Sequence, residues 1–281
     1  MEIIIAKTAG FCFGVNRALK MAESALENKS APLYSLGPLI HNPRVVSELA
    51  AKGIQIANDI DEIPNGRVVI RSHGVGPGIY TKAAAKNLEI IDATCPFVKN
   101  VQQVAIFLHE QDYQVIVFGE PDHAEVKGVL ESISGKAYVV SNADEINFQV
   151  EPKVGLISQT TQEIANFGKL VSKLAPRVKE LRVFNTICLA TSERQLEAAS
   201  LSKTVDLMII VGGKNSANTT RLVEVSKNCG VQTYQVESAG EIQTDWLKNT
   251  ERVGITAGAS TPGEQITEVI EKIKYLGGKS K

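Results

Sequence analysis

Apolar residues in this chain cluster in short runs that end in small and polar residues, and a segment of helical period follows each run. The pattern recurs in EIIIAKTAGFCFG, LEIIDATCPFV, YQVIVFGEPDHAEVKG, KVGLISQTT, LRVFNTICLAT, VDLMIIVGGKNSANT and RVGITAGASTPGE. Runs such as LMIIV have the length of a strand, and the amphipathic stretches between them have the length of a helix. Strands alternating with helices of ten or so residues predict βαβ units and parallel sheets. The fold class is α/β.

A longer-range repeat lies beneath this alternation. Cys12, Cys95 and Cys188 each follow a predicted strand, at intervals of 83 and 93 residues. A second polar strand end follows each cysteine after 28 or 29 residues: His41, His123 and Ser216. Next comes an acidic-Ile turn, DEI at Asp61 to Ile63, DEI at Asp144 to Ile146 and GEI at Gly240 to Ile242. Each turn leads into a third strand whose tip lies near His73, Thr160 or Ser260. Solenoid repeats are far shorter, about 20–50 residues. The pattern predicts three similar small α/β domains, residues 1–86, 87–178 and 179–281, in a pseudo-threefold arrangement. Cys229 falls outside the repeat. It precedes Gly230, which has the position of a helix C-cap, and it reads as structural.

Composition narrows the function classes. The chain has 281 residues, 43% hydrophobic and 22% charged, and 30 basic against 31 acidic side chains leave a net charge of −1. There is no basic run for a nucleic-acid backbone, and aromatics, at 5%, are too few for base-stacking platforms. No stretch approaches the roughly 20 apolar residues of a membrane span. MEIIIAKTAG lacks the basic and apolar regions of a signal peptide. We therefore expect a cytoplasmic protein that binds neither nucleic acid nor membrane, and cysteines that serve as filler, nucleophiles or ligands rather than disulfides.

Open α/β sheets bind ligands beyond the carboxyl ends of their strands. The repeat puts its cysteines and three of the four histidines there. Helix-start signals accompany them: Asn42-Pro43, Cys95-Pro96, and Thr261-Pro262 with Glu264. Amide hydrogens at a helix start attract anions and favour the thiolate that a metal needs. If three domains pack around an axis, three thiolates converge on one cavity. The spacing matches no short zinc-finger or ferredoxin motif, so cluster, zinc and buried filler all stay open at this point. Glu125 is similarly ambiguous. With Asp122 it has the spacing of a capping box, while a carboxyl group beside a metal could deliver protons. His109 reads as a surface or cap residue near a helix end.

Nine segments, AGFCFGVNRA, GPLIHNP, RSHG, DATCP, GEPDHAEVKG, ISQTT, NTICLAT, GGKNSANT and TAGAST, resemble the IspH or LytB family of 4-hydroxy-3-methylbut-2-enyl diphosphate reductases. They occur in family order from Gly10 to Pro262. The resemblance implies three α/β domains around a central iron–sulfur cluster, and an enzyme of the last step of non-mevalonate isoprenoid synthesis. It implies that Cys12, Cys95 and Cys188 ligate a [4Fe–4S] cluster whose fourth iron meets the substrate hydroxyl. It makes His41, His73, Ser216, Asn218 and Ser260 the diphosphate-binding set, and gives His123 a substrate contact. Glu125 corresponds to the proton donor and Thr160 to the residue that orients it. Ala217 stands where some members have Ser, leaving only its backbone N–H. Ferredoxin or flavodoxin is the implied one-electron donor. The rival classes are a metal- or thiol-dependent hydrolase and a phosphometabolite-binding module using the same strand tips.

Overall fold

The computed structural model describes residues 1–28 and 31–278. Its elements, in chain order, are β1 (Glu2–Ile5), α1 (Phe13–Glu27), β2 (Leu33–Leu36), α2 (Pro43–Ala51), β3 (Ile54–Ala57), β4 (Arg67–Ile70), α3 (Pro77–Ala85), β5 (Glu89–Asp92), α4 (Pro96–Glu110), β6 (Gln114–Phe118), α5 (Ala124–Ser132), β7 (Ala137–Val140), β8 (Lys153–Ser158), α6 (Ile164–Leu174), β9 (Glu180–Val183), α7 (Leu189–Ser202), β10 (Leu207–Val211), α8 (Ala217–Asn228), β11 (Gln232–Val236), β12 (Arg252–Ala257) and α9 (Gly263–Gly278). Among the described residues no helix is long and apolar enough to cross a membrane.

The strands form three parallel four-stranded sheets, in the orders β3-β2-β4-β5, β7-β6-β8-β9 and β11-β10-β12-β1. The order is the same each time, and the chain's first strand completes its last sheet by pairing Glu2 to Ile5 with Arg252 to Ile255. Two compact units result. One, residues 1–13, 41–45 and 189–281, holds the β11-β10-β12-β1 sheet, and the other, residues 14–40 and 46–188, holds the remaining two sheets.

The sheet boundaries differ from the segments 1–86, 87–178 and 179–281. β5 and β9, the strands leading to Cys95 and Cys188, finish the sheet before the expected boundary, and β1 belongs with the last segment. The physical reason is the crossover connection. A parallel strand joins a sheet edge through a remote partner, so local sequence does not say which edge receives it.

Strand interiors show why this sequence needs helices on both faces. Val115 and Val117 of β6 pack on Val101, Ala105 and Leu108 of α4 and on Val126 and Val129 of α5. Ile116 and Phe118 point the other way, onto Phe167, Leu170 and Leu174 of α6. In β10, Leu207, Ile209 and Val211 meet Val269 and Ile273 of α9, while Met208 and Ile210 meet Ala198 and Leu201 of α7 and Leu222 of α8. Each such side chain contributes roughly 1.5–3 kcal/mol on full burial.

Packing is close where β8 passes α4. A methyl group on Gly155 would lie 2.6 Å from both terminal carbons of the buried Leu108. Gly155→Ala is expected to cost about 1–3 kcal/mol of stability by overpacking, read as a lower denaturant midpoint with unchanged slope.

The acidic-Ile turns are one device used three times. Ile60–Glu62, Ala143–Glu145 and Ala239–Glu241 each form a 3-10 turn. The next residue, Ile63, Ile146 or Ile242, is buried and donates its N–H to the turn's first carbonyl. Glu62, Glu145 and Glu241 each accept a backbone N–H from four residues earlier, at Asn58, Ser141 and Glu237. The turn closes on itself and sets the approach of the following strand.

Candidate active site

All three repeat cysteines sit immediately before the first residue of a helix: Cys12 before α1, Cys95 before α4 and Cys188 before α7. Each is anchored by the same backbone hydrogen bond to the tip of the adjacent strand. Cys12 N–H donates to the Ala259 carbonyl at 3.1 Å, Cys95 N–H to Ser72 at 3.0 Å and Cys188 N–H to Thr160 at 3.0 Å. The acceptors are Thr160 itself and the residues just before Ser260 and His73, so each thiol is tied to a candidate site residue.

The second unit joins six candidates in one run, from Cys95 through Ser72 to His73 and on to Cys188. The rings of His73 and His123 meet edge to face, 5.7 Å between centroids and at 84°. His123 caps α5, its Nδ1 accepting the Glu125 N–H at 3.2 Å. A neutral ring that accepts there carries its hydrogen on Nε2.

Glu125 is 2% exposed. Its Oε1 accepts the Thr160 N–H at 2.7 Å, and its Oε2 is 2.7 Å from the Thr160 hydroxyl. Burial pushes its carboxyl up to about 7; the two Thr160 hydrogen bonds oppose that shift and Glu120 adds to it. The capping-box alternative fails on this geometry. The carboxylate turns to Thr160, His123 is the cap, and Asp122 is fully exposed and ion-paired with Lys127.

Cys12 has a longer lead-in from its strand than the other two cysteines, and α7 holds that lead-in. Glu197 accepts the backbone N–H groups of Lys7 and Thr8 and the Thr8 hydroxyl, and Arg194 donates to the Gly10 carbonyl at 2.6 Å. Ser216 caps α8, accepting the Thr219 N–H, and Ala217 and Asn218 form the helix's first turn. Both polar side-chain atoms of Asn218 are buried with no hydrogen-bond partner among the described residues. A buried amide left so is costly unless a ligand completes it. His41 and Ser260 meet in the same unit: the Ser260 hydroxyl donates to the His41 carbonyl at 3.0 Å.

Two polar residues escaped the sequence reading. Gln159, at the end of the buried β8, accepts the Glu120 N–H and donates to the Thr161 hydroxyl, tying the β8 tip to the β6 tip. Asn42, noted above only as a helix start, also bonds across to Ser260 and Gln265. A polar side chain just past the apolar run Val154 to Ile157 was the available signal for Gln159. Thr261 departs from its expected role as well, because its hydroxyl reaches back to the Val211 carbonyl and α9 begins only at Gly263.

The donor set fits an iron–sulfur group. No disulfide joins the four cysteines, and the three repeat cysteines stand at loop ends directly before helices. Thiolates are the usual ligands of iron–sulfur clusters.

Comparison with known proteins finds relatives over nearly the whole chain. A family model described as LytB protein matches residues 3–274. The 4-hydroxy-3-methylbut-2-enyl diphosphate reductase of Geobacter metallireducens is 47% identical over 277 residues, 98% of either chain. That of Geobacter sulfurreducens is 46% identical over 282 residues, all of either chain. A solved structure of (E)-4-hydroxy-3-methyl-but-2-enyl diphosphate reductase, described as the terminal enzyme of the non-mevalonate pathway, is 43% identical, with a TM-score of 0.70 over 98% of this chain and 100% of that one. The E-1-hydroxy-2-methyl-but-2-enyl-4-diphosphate reductase from Plasmodium falciparum is 27% identical, with a TM-score of 0.89 over 96% of this chain and 87% of that one. With a family model spanning nearly all of the three-sheet fold, and full-length relatives at close to half identity, the chain belongs to the LytB protein family.

Proposed function

We infer that this chain is a 4-hydroxy-3-methylbut-2-enyl diphosphate reductase, removing the allylic hydroxyl to give isopentenyl and dimethylallyl diphosphates in the last step of the non-mevalonate pathway. The reaction breaks one C–O bond, forms one C–H bond, takes up two electrons and two protons and releases water. The observation that carries the reading is Glu125, a buried carboxyl group held by Thr160 one strand tip from Cys188, whose burial pushes it up to about 7.

Cys12, Cys95 and Cys188 would hold a [4Fe–4S] cluster by their thiolates. When bound, that group supplies single electrons and a Lewis-acidic iron, neither of which side chains provide. Burial favours the protonated carboxyl of Glu125, which would supply a proton so that water rather than hydroxide departs. Thr160 fixes the carboxyl plane by donating its N–H to Oε1 and its hydroxyl to Oε2. His123, oriented through the hydrogen bond at Nδ1, is assigned a contact with the substrate.

For the diphosphate we assign His41, His73, Ser216, Asn218 and Ser260, with the Ala217 N–H. Helix N-terminal amides and neutral donors bind an anion through preorganised hydrogen bonds. The buried Asn218 amide supports this assignment, since a phosphate oxygen would satisfy its N–H group. A ferredoxin or flavodoxin is the proposed electron source, and the cytoplasm the proposed location.

Anaerobic turnover with a reduced viologen tests the reading. Two dye equivalents should be oxidised per substrate, with isopentenyl and dimethylallyl diphosphates as products. Release of inorganic phosphate without reductant would instead indicate a hydrolase, and tight binding without turnover a binding module.

A further inference from the structure

We propose that Asn42 is a positioning residue for diphosphate binding, which fastens the His41 loop to the tip of β12. The inference rests on the assignment of His41 and Ser260 to the diphosphate.

Asn42 is 2% exposed, and its side-chain amide is engaged on both sides. Nδ2 donates one hydrogen to the Ser260 carbonyl at 2.9 Å and the other to Gln265 Oε1 at 3.1 Å. Oδ1 accepts the Val45 N–H at 3.3 Å and so caps α2. Gln265, on α9, is buried too, and its own Nε2 donates to the Glu237 carbonyl after β11.

A second bond runs the opposite way, from the Ser260 hydroxyl to the His41 carbonyl. Two crossed hydrogen bonds therefore join the adjacent residues His41 and Asn42 to Ser260, across 218 or 219 positions of sequence. The β10 tip closes on the same carbonyl: a methyl group on Gly213 would lie 3.0 Å from the His41 oxygen and 2.8 Å from Asn215 Oδ1, so glycine permits that approach.

Helix capping alone does not account for this arrangement. Ser or Asp would cap α2 as well as Asn. Only a side chain that donates twice and accepts once meets all three partners. Asp would set an acceptor against two oxygens, and Ser would not span both. The backbone of His41 is thus placed by a residue with no contact of its own to assign to substrate.

The test uses the cluster-loaded enzyme with Asn42→Ser, Asn42→Asp and Gln265→Ala, and His41→Ala as the benchmark. The two Asn42 variants keep a helix cap and should raise KM about tenfold or more with kcat within about threefold, the signature of lost binding rather than lost chemistry. Inhibition by inorganic pyrophosphate should weaken in parallel, with iron and sulfide content unchanged. Gln265→Ala, which removes one acceptor from another helix, should shift KM the same way by less.

Wild-type KM and pyrophosphate inhibition in both Asn42 variants, with both weakened in His41→Ala, would show Asn42 to be a cap only and overturn the inference. Both unchanged in His41→Ala as well would sink the diphosphate assignment, and the inference with it.

Discussion

Replacing Glu125 with Gln is expected to lower kcat by about 10²–10⁴, the range for losing a positioned proton donor, and to leave the fold and iron content intact. Gln is nearly isosteric. Its carbonyl oxygen still accepts the Thr160 N–H, and its NH₂ group can donate to the Thr160 hydroxyl, so the loop keeps its shape. What disappears is the ionisable proton.

The pH dependence supplies an independent reading of the same group. Burial raises the carboxyl to about 7, so the donor form is lost as pH rises through that value. The wild-type rate should fall above neutrality, nearing tenfold per pH unit, a limb that Glu125→Gln lacks.

Stability carries the same sign. A carboxyl raised on folding favours the folded state below the ordinary carboxylate range, and that contribution is lost as pH rises to about 7. The change is on the order of 3 kcal/mol. Glu125→Gln should therefore gain stability relative to wild type between pH 5 and pH 8, measured by denaturant midpoints. A stability gap independent of pH, together with retained turnover, would mean that the carboxyl serves only to hold Thr160.

The second large effect concerns sulfur. Cys12→Ser, Cys95→Ser and Cys188→Ser should each lose the visible chromophore and all turnover, because a serine oxygen is a poor substitute for a soft thiolate on iron. Cys229→Ser should keep both, with stability within about 1 kcal/mol of wild type. The contrast is structural. The first three precede helices and are anchored to neighbouring strand tips, whereas Cys229 ends α8 ahead of Gly230 at φ +82° and places its Sγ 3.7 Å from the Ala199 carbonyl. Equal loss from Cys229→Ser would remove the basis for separating them.

The three-way repeat was legible because it is carried by locally determined features. A rare residue recurs before a helix start, an Ile closes an acidic turn, and an apolar strand ends in a polar tip. Each reflects a few neighbouring residues, and the structure repeats each one with the same hydrogen bonds. Pairing over long distances was not legible. Nothing near Glu2 names Arg252 as its partner, so local sequence does not say which sheet β1, β5 or β9 joins.

The candidate site divides along the same line. Cys95, His123 and Ser216 could be found at helix starts from Pro, Gly and polar residues alone. The partner of Glu125 could not, since capping box and buried acid share one spacing, and only Thr160, 35 residues later, decides between them. Asn42 looked like a cap and is one. Its other role needs Ser260 and Gln265, more than 200 positions away.

The central claim is that three thiols from the repeat hold an iron–sulfur group in a reductase. Its most direct test is the iron, zinc and acid-labile sulfide content of wild-type protein purified without air. About four iron and four sulfide per chain are expected, as a [4Fe–4S] cluster requires. One zinc per chain with no sulfide would contradict the claim.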